Sequence, residues 1–143
     1  MTIRSLQDHK LNPLNDALDV TAHDPGPGGA PVRYDIAFKT AHLVSLQNDV
    51  RNIVSLRFQN GPIQSPADIN GLTNEALLAI VLDRLRAFQH PTHADGTFNL
   101  ETRNPFYCGE NAAALYHLEC ALQFLHDRTL HRQARGVEGT LTP

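Results

Sequence analysis

The feature that most constrains this chain is a single change of hydrophobic period. Up to about residue 59 the apolar residues recur at every second position, and from Thr73 they recur at steps of three and four. Leu18, Val20 and Ala22 alternate with Asp19, Thr21 and His23, and Val32, Tyr34, Ile36 and Phe38 alternate with Arg33, Asp35 and Ala37. In NIVSLRFQ, Val54, Leu56 and Phe58 face one way while Ser55, Arg57 and Gln59 face the other. Each run predicts a strand with one dry face. Between the first two lies PGPGGAP, too rich in Pro and Gly for a regular element, which predicts a hairpin with a long loop. NGPIQSPADING then breaks the chain, and TAHLVSLQNDV fits either a short helix or a ragged strand.

Beyond that break Thr73 is placed to cap a helix and Glu75 suits the positive end of its dipole. Leu77, Leu78, Val81, Leu82, Leu85 and Phe88 form an amphipathic stripe ending near His90-Pro91. The loop PTHADGTFNLETRNP leads to a second helix striped by Leu115, Leu118, Leu122 and Leu125, with Ala114 and Ala121 beside them. Steps of three and four suit packing against another helix. The loop is longer than most connections between paired helices, which marks it as a binding loop or an insertion. The expected fold is α+β in one domain of 143 residues: a small antiparallel sheet in 1–69, and a helical hairpin with a C-terminal tail in 70–143.

Charge and composition exclude several functions. A formal charge of −3 provides no global basic field for duplex nucleic acid, so any anion must be met by a local cluster. No apolar run approaches the roughly 18 residues of a membrane span, and MTIRSLQDHK lacks the apolar stretch of a signal peptide, so a soluble, intracellular protein is expected. Cys108 and Cys120 on one helix stand roughly 18 Å apart, beyond disulfide reach, and are expected as reduced thiols.

Extending the second stripe places Cys108 and Asn111 before Leu115, and Thr129 and Arg132 after Leu125, with Arg128 on the adjoining side. Polar groups on a packing face must be solvated, paired or presented to something. One reading is a helix that has outrun its core, with basic residues suiting its C-terminal dipole. The other is an anion site, because Arg128 and Arg132 share a face at i and i+4 and two guanidinium forks grip phosphate. Asn111 and Arg128 stand roughly 26 Å apart along a straight helix, so one small ligand cannot touch both within a chain. If two subunits pack their second helices antiparallel, Phe88 and Asn111 of one meet Arg128 and Arg132 of the other. That would join a stacking ring, an amide and a phosphate clamp, although a Phe at such a position is more often core than platform.

Other constellations are thinner. His90 and His93 with Cys108 or His117 match no compact zinc spacing, nothing places a base beside the Cys108 thiol, and there is no Gly-rich phosphate loop. No catalytic residue, metal or cofactor is expected.

Three stretches carry a resemblance: LRFQNGPI, NGLTNEALLAIVLDRLRAFQ and CGENAAALYHLECALQFLHDRTLHRQARGVEG. Their motifs FQ-x-GPI, RL-x-x-FQ, C-x-EN and RT-x-x-R-x-x-RGVEG resemble the first family of Thoeris anti-defence proteins. These are phage sponges that share a helical hairpin with the phage sponge against CBASS signalling. The resemblance implies a non-enzymatic homo-oligomer, dimeric or hexameric, assembled through the helical hairpin in the host cytoplasm. It would bind cyclic ADP-ribose isomers made by bacterial TIR proteins and hold them without cleavage. Some hexameric members also take up cyclic oligonucleotides in separate pockets. By resemblance Phe88 is the stacking aromatic, Asn111 the base contact, and Arg128 and Arg132 the C-terminal arginines. Arg135 and Gly136 would serve a second pocket or a subunit contact, and Arg57 would line the first pocket, with Phe58 either beside it or packed in the sheet. The chain departs from the family by inserting HPTHADGTFNLETRNP, after which Phe106 could stack in place of Phe88, and its first fifty residues match the family motifs poorly. The alternatives are a sponge mainly for cyclic di- or trinucleotides, an enzyme degrading such signals, and a structural oligomerisation module.

Overall fold

The computed structural model describes residues 3–12, 17–38 and 53–143. Four strands, β1 (Arg4–Leu6), β2 (Leu18–Pro25), β3 (Pro31–Phe38) and β4 (Ile53–Arg57), form an antiparallel sheet in the order β1-β2-β3-β4. The helices are α1 (Asn74–Gln89) and α2 (Gly109–Ala134), so the α+β expectation holds. The segment TAHLVSLQNDV lies outside the described residues.

Register follows the alternation. Val20 stands opposite Ile36, Ala22 opposite Tyr34, Ile36 opposite Val54 and Tyr34 opposite Leu56, which gathers the apolar positions on one face. Ala22 is buried there, and Phe58 meets Tyr34 edge to face with centroids 5.5 Å apart. The hairpin loop is short, not long. Gly26 N–H donates to Ala30 O at 2.7 Å, and Gly28 and Gly29 take φ of 68° and 80°, so the glycines let the chain reverse in one tight turn. β1 has no counterpart in the periodicity because three residues are too few for an alternation to register.

The opposite face is polar and charged. Asp35 accepts from Ser55 Oγ at 2.6 Å and lies 3.1 Å from His23 Nε2 and 3.6 Å from Arg33 Nε. Arg33 is the register partner of both His23 and Arg57, so three basic side chains share one row. Like groups directly opposite one another are unfavourable, and Asp35 with Asp24, 3.4 Å from Arg33 Nη1, offsets the repulsion.

After β4 the FQNGPI stretch closes a loop on itself. Gln59 Nε2 donates to Asp68 O at 2.9 Å, Gln59 Oε1 accepts Asn70 N–H at 3.0 Å, and the Asn70 side chain accepts Asn60 N–H and donates to Asn60 O. The Asp68 carboxylate accepts the Gln64 and Ser65 N–H groups, which lowers its pKa below the usual carboxylate value. Gly71 lets the returning chain lie against Phe58, where an added Cβ would stand 2.5 Å from the Phe58 carbonyl oxygen. Gln64 Nε2 also holds Gly139 O at 3.0 Å, so the end of the tail belongs with the sheet. Two compact units result: Met1–Leu72 with Gly139–Pro143, and Thr73–Glu138.

In the helical unit, Thr73 Oγ1 accepts Ala76 N–H at 3.1 Å as the N-cap of α1. α1 lies against α2, and Leu82, 1% exposed, is the large apolar side chain most completely buried among the described residues. Arg86 reaches Glu119 of α2 at 2.8 Å. α2 has no buried residue: its Leu115, Leu118, Leu122 and Leu125 are half-buried. Removing the buried Leu82 side chain leaves a cavity between the helices. Leu82→Ala should destabilise the helical unit by about 3 kcal/mol, read as a lowered denaturant midpoint of the far-UV helical signal.

Candidate functional site

The C-terminal end of α1 leaves carbonyls without intrahelical partners, and no glycine follows to turn the chain back over them. His90 is extended there, at φ −136°. Its N–H takes the Arg86 carbonyl at 2.8 Å, and residues from the end of the following loop take two more. Asn104 Nδ2 donates to Ala87 O at 3.2 Å and Asn104 N–H donates to Gln89 O at 2.9 Å. Gln89, 1% exposed, donates from Nε2 to Cys108 O at 3.1 Å and accepts Cys108 N–H at Oε1. This reciprocal pair holds the end of α1 against the start of α2, where the Cys108 thiol caps the helix by accepting Asn111 N–H at 3.4 Å.

Phe88 and Asn111 therefore sit at the same end of the helix pair, as antiparallel packing requires. Phe88 is 37% exposed, with the Arg84 guanidinium 5.2 Å from its ring centroid. The Asn111 side-chain amide has no hydrogen-bond partner among the described residues. An open ring and a free amide on adjoining helix ends can stack a flat heterocycle and read its edge.

The arginines stand at the other end of α2. Arg128 is exposed, and its guanidinium makes no hydrogen bond or ion pair among the described residues. Arg132 is turned the other way. Its side chain is 13% exposed, Nε lies 2.9 Å from Glu138 Oε2, and Nη2 donates to Val137 O at 2.9 Å. The tail can reach it because α2 ends in a Schellman turn: Gly136, at φ 68°, donates to Gln133 O, and Val137 N–H donates to Arg132 O. Gly136 thus has a conformational duty, while Arg135 caps the helix with its side chain exposed.

Arg57 lies in the sheet unit, on the polar row with Arg33. Phe106 is 74% exposed on the loop before α2. That loop is well bonded within itself. Thr92 bridges Phe98, His93 N–H donates to Thr97 O at 2.7 Å, His90 Nδ1 lies 3.0 Å from Thr102 O, and Asp95 accepts the Thr97 N–H and hydroxyl. Among the described residues no three His, Cys, Asp or Glu side chains come together, and no helix is long and apolar enough to cross a membrane.

Gln89 and Asn104 were not singled out by sequence reasoning. Gln89 follows Leu82 and Leu85 at helical spacing, so a polar residue on the packing face was a usable signal. Asn104 precedes Pro105, and an Asn-Pro pair marks a turn but gives no hint of which carbonyls the amide will reach.

No protein-family profile matches the chain. A curated relative does: Thoeris anti-defense 1 of Bacillus phage SBSphiJ7 is 37% identical over 97 residues, which is 68% of this chain and 58% of that protein. The chain thus spans under two thirds of its relative's length. Identity at this level across most of the sequence reflects common descent, and the chain belongs to the Thoeris anti-defence family.

Proposed function

We propose that this protein is a phage anti-defence sponge. It binds and sequesters cyclic ADP-ribose isomers made by bacterial TIR proteins in the cytoplasm of the infected host, and so blocks Thoeris immunity without cleaving the signal. The observation that carries this reading is the 37% identity to a protein named for anti-Thoeris defence. The side chains left open on the helical unit agree with a nucleotide ligand: Phe88 for stacking, Asn111 for a base edge or ribose, and Arg128 for phosphate. Arg135 is held in reserve for a neighbouring contact.

The pocket is completed by a second copy. Asn111 and Arg128 are on one straight helix roughly 26 Å apart, so a single ligand reaches both only when the far end of one α2 lies beside the near end of another. Tyr116, Phe124 and Leu130 leave large apolar side chains exposed along α2, as a helix that buries itself in an oligomer requires. Arg132 joins the clamp by exchanging Glu138 for the ligand's pyrophosphate, which carries one negative charge on each phosphate and offers several acceptor oxygens.

Four outcomes test the reading. Protein saturated with cyclic ADP-ribose and then heat-denatured should release the ligand intact, as judged by mass spectrometry; a hydrolysed product would establish an enzyme instead. Arg128→Ala should leave oligomer size unchanged and weaken binding by about 2 kcal/mol in calorimetry, the usual cost of losing a hydrogen bond to a charged group. Mixing Asn111→Ala with Arg128→Ala chains should then restore a fraction of the sites, and no recovery would confine the pocket to one chain. Glu138→Gln removes the intramolecular competitor for Arg132. A half-exposed ion pair contributes at most about 1 kcal/mol, so affinity should rise by up to roughly fivefold.

A further inference from the structure

We infer that Phe106 is a second aromatic wall for the ligand's flat heterocycle, and that Asn104 is the positioning residue that sets it beside Phe88. The inference rests on the nucleotide reading above and adds to it a loop that the family motifs do not contain. Its basis is the bonding of one side chain. Asn104 donates from Nδ2 to Ala87 O at 3.2 Å and from its backbone to Gln89 O at 2.9 Å, the two residues that flank Phe88. Its Oδ1 accepts Phe106 N–H at 3.0 Å. The backbone that carries one exposed ring is therefore separated from the backbone that carries the other by a single amide.

The turn around that amide is closed. Tyr107 N–H donates to Asn104 O at 2.9 Å, Pro105 restricts the residue between, and Cys108 is tied to Gln89 directly. Phe106 is 74% exposed on this braced turn, so its ring contributes little to packing in the isolated chain. Neighbouring cations leave the ring open. Arg103 is held over Tyr107 at 4.2 Å, and Arg84 lies over Phe88 at 5.2 Å while that ring keeps part of its surface exposed. Two rings fixed to one frame fit an uncharged flat group better than a phosphate, and a base between aromatic walls gains from each.

The test exploits the absence of tryptophan from the chain. In the full-length protein, Phe106→Trp should retain binding of cyclic ADP-ribose, and the indole emission should be quenched along the same saturation curve that calorimetry gives. Phe106→Ala and Phe106→Leu should each weaken binding roughly tenfold, because stacking needs a ring and not merely apolar bulk. Adding Asn104→Ala to Phe106→Trp should lower the quench at saturation while the helical melting signal stays in place, which a purely structural role would not produce. Wild-type affinity in Phe106→Leu, alongside a defect in Phe88→Ala, would overturn the second wall and leave the sponge reading standing. A wild-type protein that does not bind cyclic ADP-ribose would overturn both.

Discussion

A helix that stops must find partners for its last carbonyls, and the way α1 meets that need organises the helical unit. With no glycine cap available, the chain leaves the helix at His90, runs through a self-bonded loop and returns Asn104 to the Ala87 and Gln89 carbonyls. Gln89 then carries the junction inward. A buried amide is tolerated only when its donors and acceptors are met, and the Cys108 backbone meets both of its ends. The ends of two helices, a loop and the first turn of α2 are thereby one hydrogen-bonded object, with Phe88, Asn111 and Phe106 all attached to it.

Much of the fold was legible because burial imposes a period. Leu18 to Ala22, Val32 to Phe38 and Val54 to Phe58 alternate as half-covered strands must, and Thr73 and the leucine stripes mark the helices. Legibility failed where local bonding replaces periodicity. The PGPGGA turn is tighter than its proline and glycine content suggested, because positive φ at Gly28 and Gly29 completes the reversal within a few residues. β1 is too short to show a pattern, and the cross-loop reach of Asn104 depends on where a side chain arrives in space. The arginine row was readable as spacing, but not the destination of each guanidinium: Arg128 is open, whereas Arg132 folds onto its own tail.

The two units handle charge in different ways. On the sheet, Asp35 and Asp24 lie against His23 and Arg33 in a row of like character, while the buried Arg33 Nε lacks a hydrogen bond and Arg57 makes no ion pair among the described residues. On the helical unit Arg132 is balanced by Glu138 and Arg86 by Glu119, while Arg128 is left exposed.

The reciprocal bonds between Gln89 and Cys108 also bear on how such a protein can change. They close the neck of the loop at 90–107 with atoms that lie outside the loop. Because the entropy of closing a loop rises only slowly with its length, residues can be added or removed between the neck's two sides with little penalty to the helices. Asn104, which holds the Ala87 and Gln89 carbonyls, is the exception, so this tolerance belongs to the loop residues before it. Length changes in the loop before Asn104 therefore leave the end of α1 and the start of α2 joined as they are.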